Sequence, residues 1–153
     1  MTKASPFRHA DADESAGFLL WKITALWQQK LAQALDMFGI TQTQYALLAS
    51  LRWFEEKGLP THQSSLAAHT KIDKMTVSKS IRKLEASGLI KRAPSSIDNR
   101  STDVKFTLAG KKLIERAISA IEDIDDIFFS HLGDSRLSEY KILTKLLISS
   151  NDA

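Results

Sequence analysis

The apolar spacing of this chain changes character once, at Gly88. Up to Ser87 apolar residues recur every three or four positions, whereas after Gly88 the runs LIKRA and DVKFT alternate apolar and polar side chains. A period of 3.6 and a period of 2 demand different backbones, so a helical body must give way there to a short hairpin. The run between the two strands, PSSIDNRS, is polar and turn-forming, which gives the hairpin a long tip.

The helical part divides at its breakers. Leu20, Ile23, Trp27, Leu31, Leu35 and Phe38 mark one long helix that starts near Glu14 and ends at Gly39. Thr41 followed by Gln44 is a capping-box pattern, and Tyr45, Leu48, Leu51 and Phe54 form the stripe of a second helix, stopped by Gly58 and Pro60. THQSSLAAHTKID has room for about two helical turns, anchored by Leu66, Ala67 and Ile72. Asp73 then caps a helix from Lys74 to Ser87, with Val77, Ile81 and Leu84 on one side and Gly88 as its left-handed end. Beyond the hairpin, Thr107 caps a fifth helix carrying Ile114, Ile118, Ile121 and Phe128 and broken at Gly133. A sixth, from about Ser135, carries Leu137, Tyr140, Leu143 and Leu147.

The expected fold is therefore mainly α with a small β-hairpin wing: a winged helix-turn-helix flanked by a helical bundle. A tight two-helix unit followed directly by a two-stranded wing is a DNA-reading arrangement. Charge points the same way. Residues 71–116 hold twelve basic and five acidic side chains, against six of each in residues 1–58 and three basic against seven acidic in 117–153. A net charge of +3 over 153 residues says little alone, but its concentration in the middle block says more.

Several classes are excluded or left without support. The chain has no cysteine, which removes disulfides, thiolate metal sites and cysteine nucleophiles. The start, MTKASPFRHADADES, lacks the apolar core of a signal peptide, and no stretch approaches the roughly 20 apolar residues of a membrane span, so a cytoplasmic location without membrane contact is expected. No P-loop, GxGxxG, HExxH or GxSxG occurs, and no catalytic residue, cofactor or metal is expected. His9, His62, His69 and His131 are scattered over four segments, and the acids between Glu122 and Asp126 suit a solvated helix face better than a metal.

On a helical wheel Val77, Ile81 and Leu84 fall within about 60°, leaving Met75, Thr76, Lys79, Arg82 and Lys83 on the opposite side. Lysine can donate to guanine O6 and N7, and threonine can bond a base edge or offer its methyl to thymine. An isolated basic helix would be an ordinary solvated face; the short helix before it and the wing after it favour a reading face. Ser64 and Ser65 open the short helix, where free N–H groups attract phosphate, although simple capping by either is as good an account. In the wing tip, Arg100 suits a narrow minor groove, with Asp98 and Asn99 beside it.

The segments LAAHTKIDKMTVSKSIRKLEASGLIKR and IDNRSTDVKFTLAGKKLIE resemble the recognition helix, wing and following helix of MarR-type regulators, the multiple-antibiotic-resistance family, most strongly over residues 64–116. The resemblance implies a homodimeric transcriptional regulator, a repressor by preference, that reads a pseudo-palindromic site in double-stranded DNA. It implies one intertwined domain: an arm and first dimerisation helix over 1–38, the winged helix-turn-helix over 41–107, and C-terminal dimerisation helices over 108–153. The candidate DNA-binding residues are Ser64, Ser65, Lys74, Met75, Thr76, Ser78, Lys79, Arg82, Lys83, Asp98, Asn99 and Arg100. Three positions depart from the family pattern: Met75 stands where serine is frequent, Lys79 where arginine is common, and Arg82 where an acidic or neutral residue is usual. Lysine lacks the arginine fork, so the base preference at position 79 is open.

Trp21, Trp27, Phe38 and Trp53 at helical spacing are ordinary core material. The resemblance to ligand-responsive regulators offers a second reading, in which Trp21, Phe38 and Trp53 line a pocket for a small aromatic or apolar effector. The competing function is a winged-helix protein-interaction module, or anti-regulator, that binds no DNA.

Overall fold

The computed structural model describes residues 4–95 and 100–152. In chain order these form α1 (Ala16–Leu35), α2 (Gln42–Glu56), α3 (Gln63–Thr70), α4 (Lys74–Ala86), β1 (Ile90–Pro94), β2 (Thr102–Phe106), α5 (Leu108–Phe129) and α6 (Gly133–Asn151). Short 3₁₀ turns lie before α1 and after α1 and α5.

The helix boundaries follow from local capping chemistry. Thr41 and Gln44 make both bonds of a capping box: the Gln44 N–H reaches the threonine hydroxyl at 3.1 Å and the Thr41 N–H reaches the glutamine carbonyl at 2.9 Å. Asp73 caps α4 and Thr107 caps α5, the latter accepting from the Gly110 N–H at 3.0 Å. Gly39 and Gly88, at φ of 65° and 77°, supply the left-handed turns that follow the first and fourth helices.

Several boundaries differ from the sequence reading. Both strands sit one residue away from the alternating runs, because Leu89 closes α4 with its N–H on the Leu84 carbonyl at 3.0 Å, and Thr107 uses its hydroxyl to cap α5. α6 starts at Gly133 and not at Ser135. The first helix is interrupted at both ends by 3₁₀ turns, Ala12–Glu14 and Asp36–Phe38.

The wing is antiparallel, with Ile90 opposite Phe106 and Arg92 opposite Val104. Its base belongs to the core: Ile90 and Val104 are fully buried with Leu48 and Leu51 of α2, Leu66 of α3, Val77, Ile81 and Leu84 of α4, and Ile114 of α5. The inward stripe of α4 thus fixes which of its faces looks outward. α5 starts so close to the chain leaving α4 that a Cβ on Gly110 would overlap the Leu89 carbonyl oxygen.

The outer helices are organised differently. α6 buries no residue, and Leu143, Leu146, Leu147 and Ile148 are exposed along it. α1 likewise exposes Leu20, Trp21 and Leu26. Aromatic contacts join the two through α5: Trp27 meets Phe128 at 5.4 Å and Phe129 meets Tyr140 at 5.3 Å between ring centroids. No helix among the described residues is long and apolar enough to cross a membrane.

Candidate nucleic-acid interface

α3 and α4 meet at a turn in which Lys71 takes a left-handed conformation, φ 62°. Thr70 steadies the turn, donating its hydroxyl to the Leu66 carbonyl at 2.8 Å and accepting from the Ile72 N–H at 3.3 Å. Asp73 then starts α4 with a double grip on one residue. Its Oδ1 accepts the Thr76 N–H at 2.8 Å and its Oδ2 accepts the Thr76 hydroxyl at 2.7 Å. These bonds, the hydroxyl first, hold the Asp73 carboxyl below its ordinary range.

With Val77, Ile81 and Leu84 buried, α4 presents Lys74, Met75, Lys79, Arg82 and Lys83 to solvent, and Met75 is 70% exposed. Thr76 and Ser78 are half-buried at the edges of this face. It is a cationic surface with a thioether near its N-terminal end, and among the described residues none of these four cations is in an ion pair.

Sequence distance vanishes around the start of α3. A cleft of about 220 Å³ is lined by Gln63, Ser64 and Ala67 of α3, Lys74 and Val77 of α4, and Arg100, Ser101 and Thr102 of the wing. Ser64 is exposed there, and Ser65, one residue on, is half-buried. The α3 N-terminus, the α4 N-terminus and the wing arginine therefore border one concavity. Asp98 and Asn99 lie outside the described residues.

Two acid–base pairs absent from the sequence reading hold the wing. Glu85 on α4 accepts three bonds from Arg92: the backbone N–H at 3.0 Å, Nε at 3.2 Å and Nη2 at 3.0 Å. Those bonds, the guanidinium first, keep the Glu85 carboxyl below its ordinary range. On the other edge, His62 Nδ1 lies 2.6 Å from Asp103 Oδ1. Glu85 and Arg92 flank the Gly88 turn at a separation of seven residues, a signal that a charge-pair scan across the turn can find; His62 and Asp103 are 41 apart and carry none.

The three aromatic pocket candidates make no ring contact with one another. Trp21 is 74% exposed, Trp53 is half-exposed with Lys57 Nζ 4.6 Å from its ring centroid, and Phe38 packs on the core beneath Arg116 at 5.8 Å. Trp27, the fourth aromatic of that group, joins the Phe128, Phe129 and Tyr140 cluster. Among the described residues no group of three or more histidine or carboxylate side chains is placed to hold a metal ion.

Known proteins resemble this chain over the same region. A family profile described as an ArnR1-like winged-helix domain matches residues 36–125. The helix-turn-helix transcriptional regulator YdcH of Bacillus subtilis is 35% identical over 116 residues, covering 76% of this chain and 79% of YdcH. The helix-turn-helix transcriptional repressor Rv2887 of Mycobacterium tuberculosis is 26% identical over 135 residues, 88% of this chain and 94% of its own. Among solved structures, the S. aureus MepR–DNA complex superposes with a TM-score of 0.79 at 26% identity, covering 92% of this chain and 99% of that one.

Proposed function

This chain belongs to the ArnR1-like winged-helix family and is a MarR-type regulator, and on that footing we propose that two copies grip one double-stranded DNA site and repress transcription there. The observation that carries this reading is the shared cleft. Ser64, Lys74 and Arg100, all named from the sequence as candidate DNA contacts, line one concavity beside the cationic face of α4.

In this mechanism the exposed face of α4 enters the major groove. Lys79 and Thr76 address base edges, Met75 and Ser78 stand beside them, and Lys74, Arg82 and Lys83 neutralise phosphates. The N-terminus of α3, with Ser64 and Ser65, holds a phosphate through backbone N–H groups and its dipole. Arg100 follows the neighbouring minor groove, and Asp98 and Asn99, which precede it in sequence, are proposed to contact the DNA beside it. These residues bind and position; none is assigned chemistry on a substrate.

The dimer is supported by what α1 and α6 leave uncovered. A helix with no buried residue and a row of exposed leucines is stable only against a partner surface, and a second copy supplies one by two-fold symmetry. Two α4 helices about one DNA turn apart then face a pseudo-palindromic site. The domain division follows: residues 1–38 and 108–153 pair the copies, and 41–107 meet the DNA, in the cytoplasm where DNA is accessible. An aromatic or apolar effector entering beside Trp21, Phe38 and Trp53 would act by changing the separation of the two reading helices.

Selection of bound duplexes from a random library tests the reading. The expected outcome is a palindromic consensus. If the dimer contacts about 6 to 10 phosphates, affinity falls on the order of 10³ to 10⁵ between about 50 and 200 mM salt. Failure to enrich any sequence favours a protein-interaction module instead, and a salt-independent complex contradicts the phosphate-neutralising mechanism.

A further inference from the structure

His62 is the residue before α3, yet its side chain caps nothing. The capping geometry is met by its carbonyl, which accepts the Leu66 N–H at 3.1 Å. The imidazole instead turns toward the wing, where Nδ1 lies 2.6 Å from Asp103 Oδ1, with the two side chains only 22% and 23% exposed. The backbones join beside it: His62 and Asp103 form a β-bridge, and the Val104 N–H donates to the Thr61 carbonyl at 2.9 Å. The segment entering α3 is thus stitched along the outer edge of β2.

The neighbours of this pair give it a consequence. Gln63 and Ser64 follow His62 directly, Ser101 and Thr102 precede Asp103, and all four line the cleft that also holds Arg100. His62 and Asp103 therefore each adjoin one wall of the cleft through the chain, while they themselves line the neighbouring hollow with Pro60, Thr61 and Val104. The inner edge of the wing has its own clamp, Glu85 on Arg92, which ties β1 to α4. That clamp holds β1 directly and β2 through the β1–β2 ladder, whereas the outer pair is the side-chain tie between β2 itself and the segment entering α3.

We propose that His62 and Asp103 are positioning residues that fix the gap between the start of α3 and Arg100, and so set how strongly the protein prefers a narrow minor groove beside its site. The inference rests on the DNA reading of the cleft. A rigid wing holds Arg100 at one depth and rewards the groove width that fits it; a loose wing follows any width and discriminates less. Nδ1–H can donate to an amide oxygen as well as to a carboxylate, though less strongly, so asparagine at 103 keeps part of the joint while alanine opens it.

The test uses the intact dimer with Asp103→Ala and Asp103→Asn, and has two readouts. Without DNA, exchange of the Val104 amide quickens about tenfold in the alanine variant, the scale of one lost hydrogen bond to a charged group, and returns toward the wild-type rate with asparagine. Core amides such as those of Leu51 and Val77 keep their rates. With DNA, the probe is one selected duplex made with A-tract flanks or with G·C flanks. The wild type prefers the A-tract version, Asp103→Ala loses that preference, and Asp103→Asn recovers part of it.

Unchanged Val104 exchange overturns the proposal, as does quickening spread evenly over the core, which would make the pair a general stabiliser. A wild type that prefers the A-tract and an alanine variant that keeps the preference overturn this inference alone. A wild type that binds neither duplex overturns the DNA reading and this inference with it.

Discussion

Thr76 gives its hydroxyl hydrogen to Asp73, at 2.7 Å, while its backbone N–H bonds the other carboxylate oxygen at 2.8 Å. A residue expected to read bases is thereby half committed to starting its own helix. A threonine hydroxyl has one donor and two acceptor lone pairs, so what Thr76 can still offer outward is its methyl group and an accepting oxygen.

Two substitutions separate those duties. Thr76→Ser keeps the bond to Asp73 and loses the methyl, so helix stability holds while preference for a thymine at the matching position drops by about 1 kcal/mol or more. Thr76→Val keeps the methyl and removes the hydroxyl, so thymine preference holds and the melting temperature falls. Melting curves beside a base-substitution series on the selected site distinguish the two. A valine variant that loses base preference would show that the oxygen, not the methyl, does the reading.

Lys79 and Arg100 are expected to fail in different ways. Lys79 projects from the exposed face of α4, so Lys79→Ala relaxes discrimination at one position in each half-site, worth about 1 to 3 kcal/mol. Arg100 sits at the wing end of the cleft, so Arg100→Ala costs most on sites with a narrow, A·T-rich minor groove. Competition binding across a panel of flanks and half-sites checks both. Equal loss on every sequence from Lys79→Ala would reduce that residue to a phosphate contact.

The features legible in the sequence are those whose cause is local. Asp73, Thr41 and Thr107 announce helix starts because a cap acts over three residues, and Gly39 and Gly88 announce stops because only the local φ matters. The face of α4 could be read because the buried stripe of Val77, Ile81 and Leu84 repeats at the helical period. The His62–Asp103 joint could not, since 41 residues separate two polar side chains with no pattern between them. The Trp27, Phe128, Phe129 and Tyr140 cluster was equally hidden: each ring fits its own helix, and only packing of α1, α5 and α6 brings them together.

Gly110 is a helical glycine whose missing side chain is required by space. Its first turn of α5 crosses the backbone at Leu89, and a Cβ would strike a carbonyl oxygen that cannot swing away without breaking the 3.1 Å bond it accepts from the Thr107 N–H at the start of α5. Gly110→Ala is therefore expected to destabilise by about 1 to 3 kcal/mol, despite the better helix propensity of alanine. Chemical denaturation gives the value, and a stabilised variant would mean that the α4–β1 corner yields easily.

Truncation after Leu132 removes α6 and with it the row Leu143, Leu146, Leu147 and Ile148. If these residues form the dimer interface with the exposed face of α1, the shortened chain elutes as monomer or aggregate in light scattering. The paired change Leu143→Glu and Leu147→Glu, which leaves the helix in place, should split the dimer with helical content retained. A well-behaved dimer after either change refutes the interface assignment.

Tyr45 links the fold to alkaline pH. Its half-buried phenol is pushed from 10.0 to about 12, first by burial and then by the negative charges of Glu122 and Asp125 on α5. The folded state therefore holds the phenolic proton more tightly than the unfolded chain does. The associated stability is complete below pH 10 and is lost as pH rises through 12. Two units correspond to about 2.7 kcal/mol if fully transmitted, and solvent screening of a half-exposed group reduces that to about 1 kcal/mol. Tyr45→Phe has no proton to lose, so its unfolding free energy should fall less steeply than the wild type's between pH 10 and 12, with the two curves parallel below pH 9. Parallel curves over the whole range would mean that the phenol is as accessible in the folded protein as in the unfolded chain, and that the contact between α2 and the acidic face of α5 opens before the tyrosine ionises.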